Sequence, residues 1–115
     1  MKTHTASKSD LLQKKCIPCK GDLKPFSEDE IQDMLTQIDG WRYAEGFIAR
    51  SFDFKNYYET TAFVNAVAWI AHQEDHHPDI EFEYKQCRVK FKTHAIDGLS
   101  ENDFIMAAKI NRLTA

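Results

Sequence analysis

The chain has 115 residues, of which 43% are hydrophobic and 29% are charged, and its net charge is −3. This length suits one compact domain, and the composition is typical of a globular chain rather than a disordered one. The slightly acidic balance argues against binding to nucleic acid, and no apolar stretch approaches the roughly 20 residues of a membrane span. The chain opens without a recognisable secretory signal, so we expect a cytoplasmic protein.

Residues 1–25 are polar and predict an N-terminal extension, which precedes a folded domain at residues 26–115. Within the extension, Cys16 and Cys19 form a C-x-x-C pair. This pair is either half of a zinc site, a redox pair, or two reduced thiols in a mobile tail. The chain holds three cysteines in all. An odd number argues against a full disulfide framework.

Capping and turn signals define the first half of the domain. Ser27 and Glu30 have the spacing of a capping box, which predicts a helix that starts there and ends near Gly40. Glu45-Gly46 then favours a tight turn between two strands. Asn56 is the expected N-cap of the strongest helical pattern in the chain, which has a wide apolar face.

The second half of the domain repeats this order. Pro78 is expected to end the second helix, because a proline disfavours helical geometry in the residue before it. Two strands with period-two alternation follow at residues 80–84 and 87–94, with opposite charges at their outward positions. Ser100 and Asp103 mark the start of a last helix. The order αββαββα predicts an α+β domain, with three helices packed on one face of a four-stranded antiparallel sheet.

A cluster of histidines is the strongest chemical signal. His76 and His77 are predicted to lie at the corner where the second helix gives way to a strand, and His94 ends the last strand. His94 can approach that corner if the last two strands pair. An imidazole can both give and take a proton near neutral pH, so the group suits acid/base chemistry. Asp75 is placed to hold a ring nitrogen of a neighbouring histidine.

Two other interpretations of the histidines are open. His72 and His76 are expected to share a helix face, and their spacing is that of two zinc ligands. Either His94 or the pair Cys16 and Cys19 would then complete the zinc site. Alternatively, the histidines are solvated side chains at a polar corner.

The segment 74–104, EDHHPDIEFEYKQCRVKFKTHAIDGLSENDF, resembles the signature of the pterin-4a-carbinolamine dehydratases. In that family an Asp-His-His-Pro corner is followed, after a hairpin, by Thr-His, Gly-Leu-Ser and an acid three residues past the serine. The likeness extends over residues 27–112. The matching positions of the signature in this chain are Asp75, His76, His77, Pro78, Thr93, His94, Gly98, Leu99, Ser100 and Asp103.

The resemblance implies a dehydratase that expels water from 4a-hydroxytetrahydropterin and leaves quinonoid dihydropterin. This step recycles tetrahydropterin for aromatic amino-acid hydroxylation, including that of phenylalanine. The resemblance implies His76 and His94 as proton-transfer residues and His77 as a pterin-orienting residue, with neither metal nor cofactor. The substrate-binding residues that it implies are Asp75, Pro78, Thr93 and Asp103.

The resemblance also bears on partners. It implies a pterin as the small-molecule partner and a homo-oligomer, either a dimer or a tetramer. Some members of the family act as protein partners, and the animal form stabilises dimers of a homeodomain transcription factor. The alternative function is therefore a protein-binding or regulatory module of the same fold.

Overall fold

The computed structural model describes residues 8–18, 21 and 23–115, which form four α-helices and four β-strands. The helices are α1 (Lys8–Gln13), α2 (Glu28–Leu35), α3 (Tyr57–Glu74) and α4 (Glu101–Arg112). The strands are β1 (Arg42–Ala44), β2 (Phe47–Asp53), β3 (Asp79–Phe82) and β4 (Gln86–Phe91). The predicted order is confirmed from α2 onward, but the predicted count of three helices is wrong, because α1 precedes them.

The strands form one antiparallel sheet in the order β1-β2-β4-β3. Glu45 and Gly46 make the expected turn between β1 and β2, with φ values of 54° and 86°. Positive φ at both central residues is what the commonest two-residue hairpin requires, and glycine adopts it without strain. On the outer face, Glu81 of β3 lies opposite Arg88 of β4, with 3.9 Å between Oε1 and Nη1. The predicted pairing of opposite charges is thus present.

The core lies between the inner face of the sheet and the helices. Apolar side chains of β2 and β4 alternate toward it, and they meet the apolar faces of α3 and α4. Removing these groups from water is the main term that stabilises the domain. The buried side chains that the two strands contribute are Ile48, Phe52, Cys87, Val89 and Phe91.

Arg50 is a polar residue on the inner face of β2. It lies opposite Val89 in the sheet register, and directly opposed residues share a face. Its Nη1 donates to the side-chain oxygen of Asn111 (2.6 Å) and to the carbonyl of Asp39 (3.1 Å). The guanidinium also lies 4.4 Å from the ring centroid of Phe52. Because an arginine occupies an inward position, the alternation of β2 did not reveal which face is buried.

α3 is the 18-residue helix that leads to the histidine corner. Asn56 caps it as expected, since its Oδ1 accepts a hydrogen bond from the Glu59 backbone N–H at 2.9 Å. Glu59 in turn accepts from the backbone N–H of Lys55 (3.3 Å), one residue before the cap. Within the described part of the chain, neither α3 nor any other helix is long and apolar enough to cross a membrane.

The N-terminal extension differs from the expected mobile tail over residues 8–18. α1 packs on α4, and Leu11 is fully buried in the core. After α1, the ammonium of Lys14 lies 2.6 Å from a carboxylate oxygen of Glu101 at the start of α4. The boundary between residues 25 and 26 stays a prediction. Cys19 lies outside the described residues, so the paired role of the C-x-x-C motif also stays a prediction.

Candidate active site

The histidine corner is formed by a left-handed residue rather than by the proline. α3 ends one residue before Asp75, which has φ 52° and ψ 43°. Its backbone N–H donates to the carbonyl of His72, and that of His76 donates to the carbonyl of Ala71 (3.2 Å). Aspartate is one of the residues that tolerate this conformation. His76 therefore leaves the helix two residues before Pro78, and the expected helix face shared by His72 and His76 is wrong.

His76 is held from behind by a carboxylate. Its side chain is 12% exposed, and its Nε2 lies 2.7 Å from Oδ1 of Asp103. The ring also stacks on Phe91, with centroids 5.9 Å apart and planes inclined by 8°. An ionised carboxylate only accepts hydrogen bonds, so Nε2 carries the proton in this contact and Nδ1 is the accepting atom of a neutral ring. Asp103 thus sets both the orientation and the tautomer of His76.

Asp103 connects three elements at one point. Its side chain is fully buried, and Oδ2 accepts from the Thr93 hydroxyl (2.8 Å) and from the Ser100 backbone N–H (3.0 Å). A buried carboxylate is costly unless it is hydrogen-bonded, and both oxygens of this one are. Thr93, which lies two residues after β4, is therefore fixed relative to the N-cap of α4 and the corner after α3.

His76, His77 and His94 line one cleft of about 340 Å³. That volume lies within the range of small-molecule sites, about 300–1,000 Å³. The structure thus brings together the three histidines that the sequence separates by a hairpin. Pro78 and Asp103, both predicted substrate contacts, do not line the cleft. The other lining residues are Ile17, Pro18, Asp75, Lys92, Thr93, Ala95 and Asn102.

Five lining residues were not predicted from the sequence: Ile17, Pro18, Lys92, Ala95 and Asn102. Ile17 and Pro18 belong to the extension. The only sequence signal near them is the C-x-x-C motif, in which they are the two middle residues. Asn102 lies in the first turn of α4, where it reads as an ordinary helix start. A larger depression of about 420 Å³ lies at the other end of α4 and has no histidine on its walls. Volume alone would therefore have pointed away from the chemistry.

Lys92, another of the lining residues that were not predicted, brings a positive charge to the cleft. Its ammonium lies 2.6 Å from Oδ1 of Asp97 and 5.4 Å from the ring centroid of Phe47. The hydrogen bond and the charge of Lys92 hold the pKa of Asp97 below its ordinary value, so this carboxyl is ionised near neutral pH. His94 meets the same Phe47 ring edge-on, with centroids 6.3 Å apart. Phe47 thus contacts both cleft side chains. The prediction that His94 ends the last strand is wrong, because β4 ends at Phe91 and His94 begins a short 3₁₀ turn, His94–Ile96.

His72 does not belong to the cleft. It lies on the exposed side of α3, where its ring centroid is 5.3 Å from that of Trp69. Across residues 8–18, 21 and 23–115, no three or more His, Cys, Asp and Glu side chains are grouped so that they could hold a metal ion. The zinc interpretation that joins His72, His76 and His94 is therefore wrong. The zinc interpretation that uses Cys16 and Cys19 stays a prediction, because Cys19 lies outside the described residues.

The fold and the cleft together define a class. This is a small α+β domain with several imidazoles around one cleft, of which one has its tautomer set by a buried carboxylate. Such a site can give one proton and take another on the same small molecule, which is general acid/base chemistry.

Comparison with known proteins identifies the family. The family model described as pterin 4 alpha carbinolamine dehydratase matches residues 24–113. A relative from Nitrosospira multiformis, with the provisional name pterin-4-alpha-carbinolamine dehydratase, is 59% identical over 104 residues, which are 90% of this chain and 92% of the relative. A relative of the same name from Nitrosomonas eutropha is 57% identical over 105 residues, covering 90% and 93%. The chain belongs to the pterin-4a-carbinolamine dehydratase family, as the resemblance predicted.

Solved structures confirm the α+β fold. The crystal structure of a transcriptional coactivator/pterin dehydratase from Brucella melitensis has a TM-score of 0.76 at 32% identity, and covers 80% of this chain and 100% of that one. A pterin dehydratase-like protein, identified as a RuBisCO assembly factor in the alpha-carboxysome, has a TM-score of 0.58 at 24% identity, covering 66% and 90%. The second likeness concerns the fold alone.

Proposed function

We propose that this chain is a 4a-hydroxytetrahydropterin dehydratase, which eliminates water to give quinonoid dihydropterin. The observation that carries the proposal is the contact of 2.7 Å between His76 and the buried Asp103, in a cleft that His77 and His94 share. Membership of the family supports the pterin as the substrate class. The acid/base character of the cleft supports the type of reaction.

The proposed reaction breaks two bonds and forms one double bond. The C4a–O bond breaks as an acid protonates the departing hydroxyl, which leaves as water. A base removes the proton from N5, and the electron pair of the N5–H bond forms the C4a=N5 double bond. One proton is given and one is taken, so the balance requires no oxidant or reductant. Two imidazoles in opposite protonation states meet this requirement.

We assign the base to His76 and the acid to His94. Asp103 holds Nε2–H of His76, which leaves Nδ1 to take the proton, and the carboxylate stabilises the imidazolium that forms. His94, at the exposed end of the cleft, then protonates the hydroxyl. His77 orients the pterin. Because Asp103 is buried behind His76, its role here is to position that ring rather than to touch the substrate.

The contacts implied for the remaining residues are also part of the proposal. Asp75 and Thr93 line the cleft and are proposed to bind the pterin. Pro78 is proposed to act by shaping the chain after the corner. The homo-oligomer, the cytoplasmic location and the link to phenylalanine hydroxylation stay predictions.

A dehydration assay with 4a-hydroxytetrahydropterin tests this function. His76→Ala and His94→Ala should each lower kcat by about 10²–10⁴-fold, which is the usual contribution of a general acid or base. His72→Ala is the matched control, because this histidine is exposed and lies outside the cleft; its rate should stay within about twofold. A wild-type protein that gives no acceleration over buffer would rule out the dehydratase. An active wild type with unaffected His76 and His94 variants would rule out the site.

A second candidate function is protein binding. The Brucella relative is described as a transcriptional coactivator as well as a pterin dehydratase. In this chain α3 exposes large aromatic side chains, with Tyr58 82% and Trp69 60% exposed. Such side chains are common anchors in interfaces. Sedimentation of the wild type and of Trp69→Ala tests self-association through α3; a complex of unchanged size in the variant would argue against that surface.

A further inference from the structure

Residues 16–18 of the extension follow α1 and reach the cleft, and we call them the N-terminal strap. Ile17 and Pro18 of the strap line the cleft together with the three histidines. The strap lies outside residues 24–113, the part that the family model matches. The cleft therefore has a wall that the family signature does not include.

Asn102 clamps the main chain of the strap. Its side chain is buried, its Oδ1 accepts from the Ile17 N–H (3.0 Å), and its Nδ2 donates to the Ile17 carbonyl (2.5 Å). One amide thus pairs with both main-chain groups of a single residue, as a neighbouring strand would. Asn102 directly precedes Asp103, which holds His76. A single turn of α4 therefore positions both the strap and a proposed catalytic histidine.

Glu74 holds the strap from the other side. Its Oε1 accepts from the Cys16 backbone N–H (2.8 Å), while its Oε2 pairs with the ammonium of Lys109 (3.1 Å). The Glu74 side chain is 6% exposed. It is the last residue of α3 and directly precedes the left-handed Asp75. The strap is thus fixed to the two elements whose ends place His76.

The side chain of Ile17 contrasts with its clamped backbone. It is 66% exposed at the rim of the cleft, although both main-chain groups of the residue are hydrogen-bonded. A planar heteroaromatic bicycle has polar atoms along its edge and two weakly polar faces. The imidazoles suit the edge, where protons are exchanged. A rigidly held aliphatic side chain is a good partner for one face of such a ring. Contact between the two removes apolar surface from water, and no flexible loop has to be ordered for it.

We propose that the N-terminal strap is a substrate-binding wall. Ile17 and Pro18 contact one face of the pterin ring, and Asn102 and Glu74 are positioning residues that act through the strap. The inference rests on the proposed function for the identity of the ring. It goes beyond that function because it assigns substrate binding to residues outside the family signature.

The first test is Ile17→Ala in the dehydration assay. KM should rise about tenfold with kcat nearly unchanged, because a contact made equally in the ground and transition states is lost. Leu23→Ala is the matched control, since Leu23 is also an exposed apolar residue before the domain, 43% exposed, but does not line the cleft. Its KM should equal that of the wild type. An unchanged KM in Ile17→Ala would overturn the inference.

A double-mutant cycle tests whether Asn102 acts through Ile17. Asn102→Ala should raise KM, and the combined variant should show a KM no higher than the larger of the two single variants. If the increases in KM of the two single variants multiplied in the combined variant, Asn102 would act independently of Ile17. Lys14→Ala, which removes only the exposed contact to Glu101, should leave KM unchanged. Circular dichroism and Tm check that each variant is folded.

A binding measurement separates this inference from the proposed reaction. A 7,8-dihydropterin has no 4a-hydroxyl to lose, and calorimetry reports its affinity without turnover. Suppose the wild type does not dehydrate 4a-hydroxytetrahydropterin, but Ile17→Ala weakens dihydropterin binding about tenfold. The strap then binds the pterin as inferred, and the proposed reaction is wrong. If the wild type catalyses the dehydration but Ile17→Ala changes neither KM nor dihydropterin affinity, the proposed reaction is supported and the role of the strap is wrong. A wild type that neither dehydrates nor binds would overturn both.

Discussion

Two aspartates decide the geometry of the proposed site. Asp75 ends α3 in a left-handed conformation and so turns His76 out of the helix. Asp103 fixes the His76 ring at 2.7 Å from inside the core. The sequence singled out both residues as substrate contacts, and Asp75 also as a partner of a neighbouring histidine. In the structure Asp75 sets the backbone turn after α3 and lines the cleft, while Asp103 contacts the ring of His76. The substrate contacts of both residues stay predictions.

Replacing Asp103 with asparagine tests the orienting role. An amide can donate to Nε2, which would reverse the tautomer of His76 and remove the negative charge that stabilises its imidazolium. We expect Asp103→Asn to lower kcat/KM by about 10²–10⁴-fold, measured across a pH profile of the dehydration.

The matched control for this change is Glu101→Gln. Glu101 is an acid in the same turn of α4, but it pairs with the exposed ammonium of Lys14 rather than with a histidine. Its kcat/KM should stay within about twofold of the wild type. Full activity in Asp103→Asn would show that the carboxylate does not act through His76.

At the scale of elements, the extension is attached to the domain by α1 and by a hydrogen bond to the buried carboxylate of Glu74. Leu11 anchors α1 in the core, and Glu74 accepts from Cys16 while pairing with Lys109. Burial by itself would raise the pKa of Glu74. The Cys16 N–H, the Lys109 hydrogen bond and the charges of Lys109 and Lys15 outweigh it, so the pKa of Glu74 lies below its ordinary 4.5.

This lowered pKa predicts how the docking of the extension depends on pH. The ionised form of Glu74 is favoured in the folded state, so its stabilising effect is complete above the unfolded pKa of 4.5 and is lost as pH falls through the folded pKa. We expect Glu74→Gln to lower the free energy of unfolding at neutral pH by about 1.5–3 kcal/mol, the range for hydrogen bonds to charged groups.

Urea denaturation of both proteins between about pH 7 and pH 3 measures this difference. The wild type should lose its advantage only in the acidic part of that range. Glu59→Gln is the control, because Glu59 is a half-exposed acid near the other end of α3. If the wild type and Glu74→Gln differed in free energy of unfolding by the same amount at the lowest pH as at neutral pH, the role given to ionised Glu74 would be contradicted.

At the scale of the whole molecule, the central strand β4 joins the core to the site. Its inner side chains Cys87, Val89 and Phe91 are fully buried, and the ring of Phe91 also stacks against that of His76. The stability of the sheet and the placement of the site are therefore linked. Cys87 offers a chemical probe of this core.

Cys87 should react with thiol reagents only when the domain unfolds. Burial raises the pKa of its thiol to about 11, and the reactive species is the thiolate. Labelling at about pH 8, followed by peptide mass spectrometry, should show Cys16 modified first and Cys87 modified at a rate that follows global unfolding in urea. Labelling of Cys87 as fast as that of Cys16 in the native protein would show that the core opens locally.

The elements were predictable wherever local chemistry sets them. The capping boxes, the Glu45-Gly46 turn and the alternation of β3 and β4 depend on residues close in sequence, and they gave the α+β fold correctly. α1 was missed because its two leucines stand in a polar stretch, and only contact with α4 makes that helix stable. A short helix is marginal without such packing.

The sequence by itself determined the family, the order of the domain's elements and the three histidines, because these reside in local patterns and in a motif of fixed spacing. The tertiary structure alone decided that His72 stands apart, that Asp103 faces His76 rather than the cleft, and that Ile17 and Pro18 reach the site. Those facts depend on contacts between residues up to 86 positions apart, such as that of Cys16 with Asn102. Such contacts form only once the helices have packed on the sheet, so no local pattern encodes them.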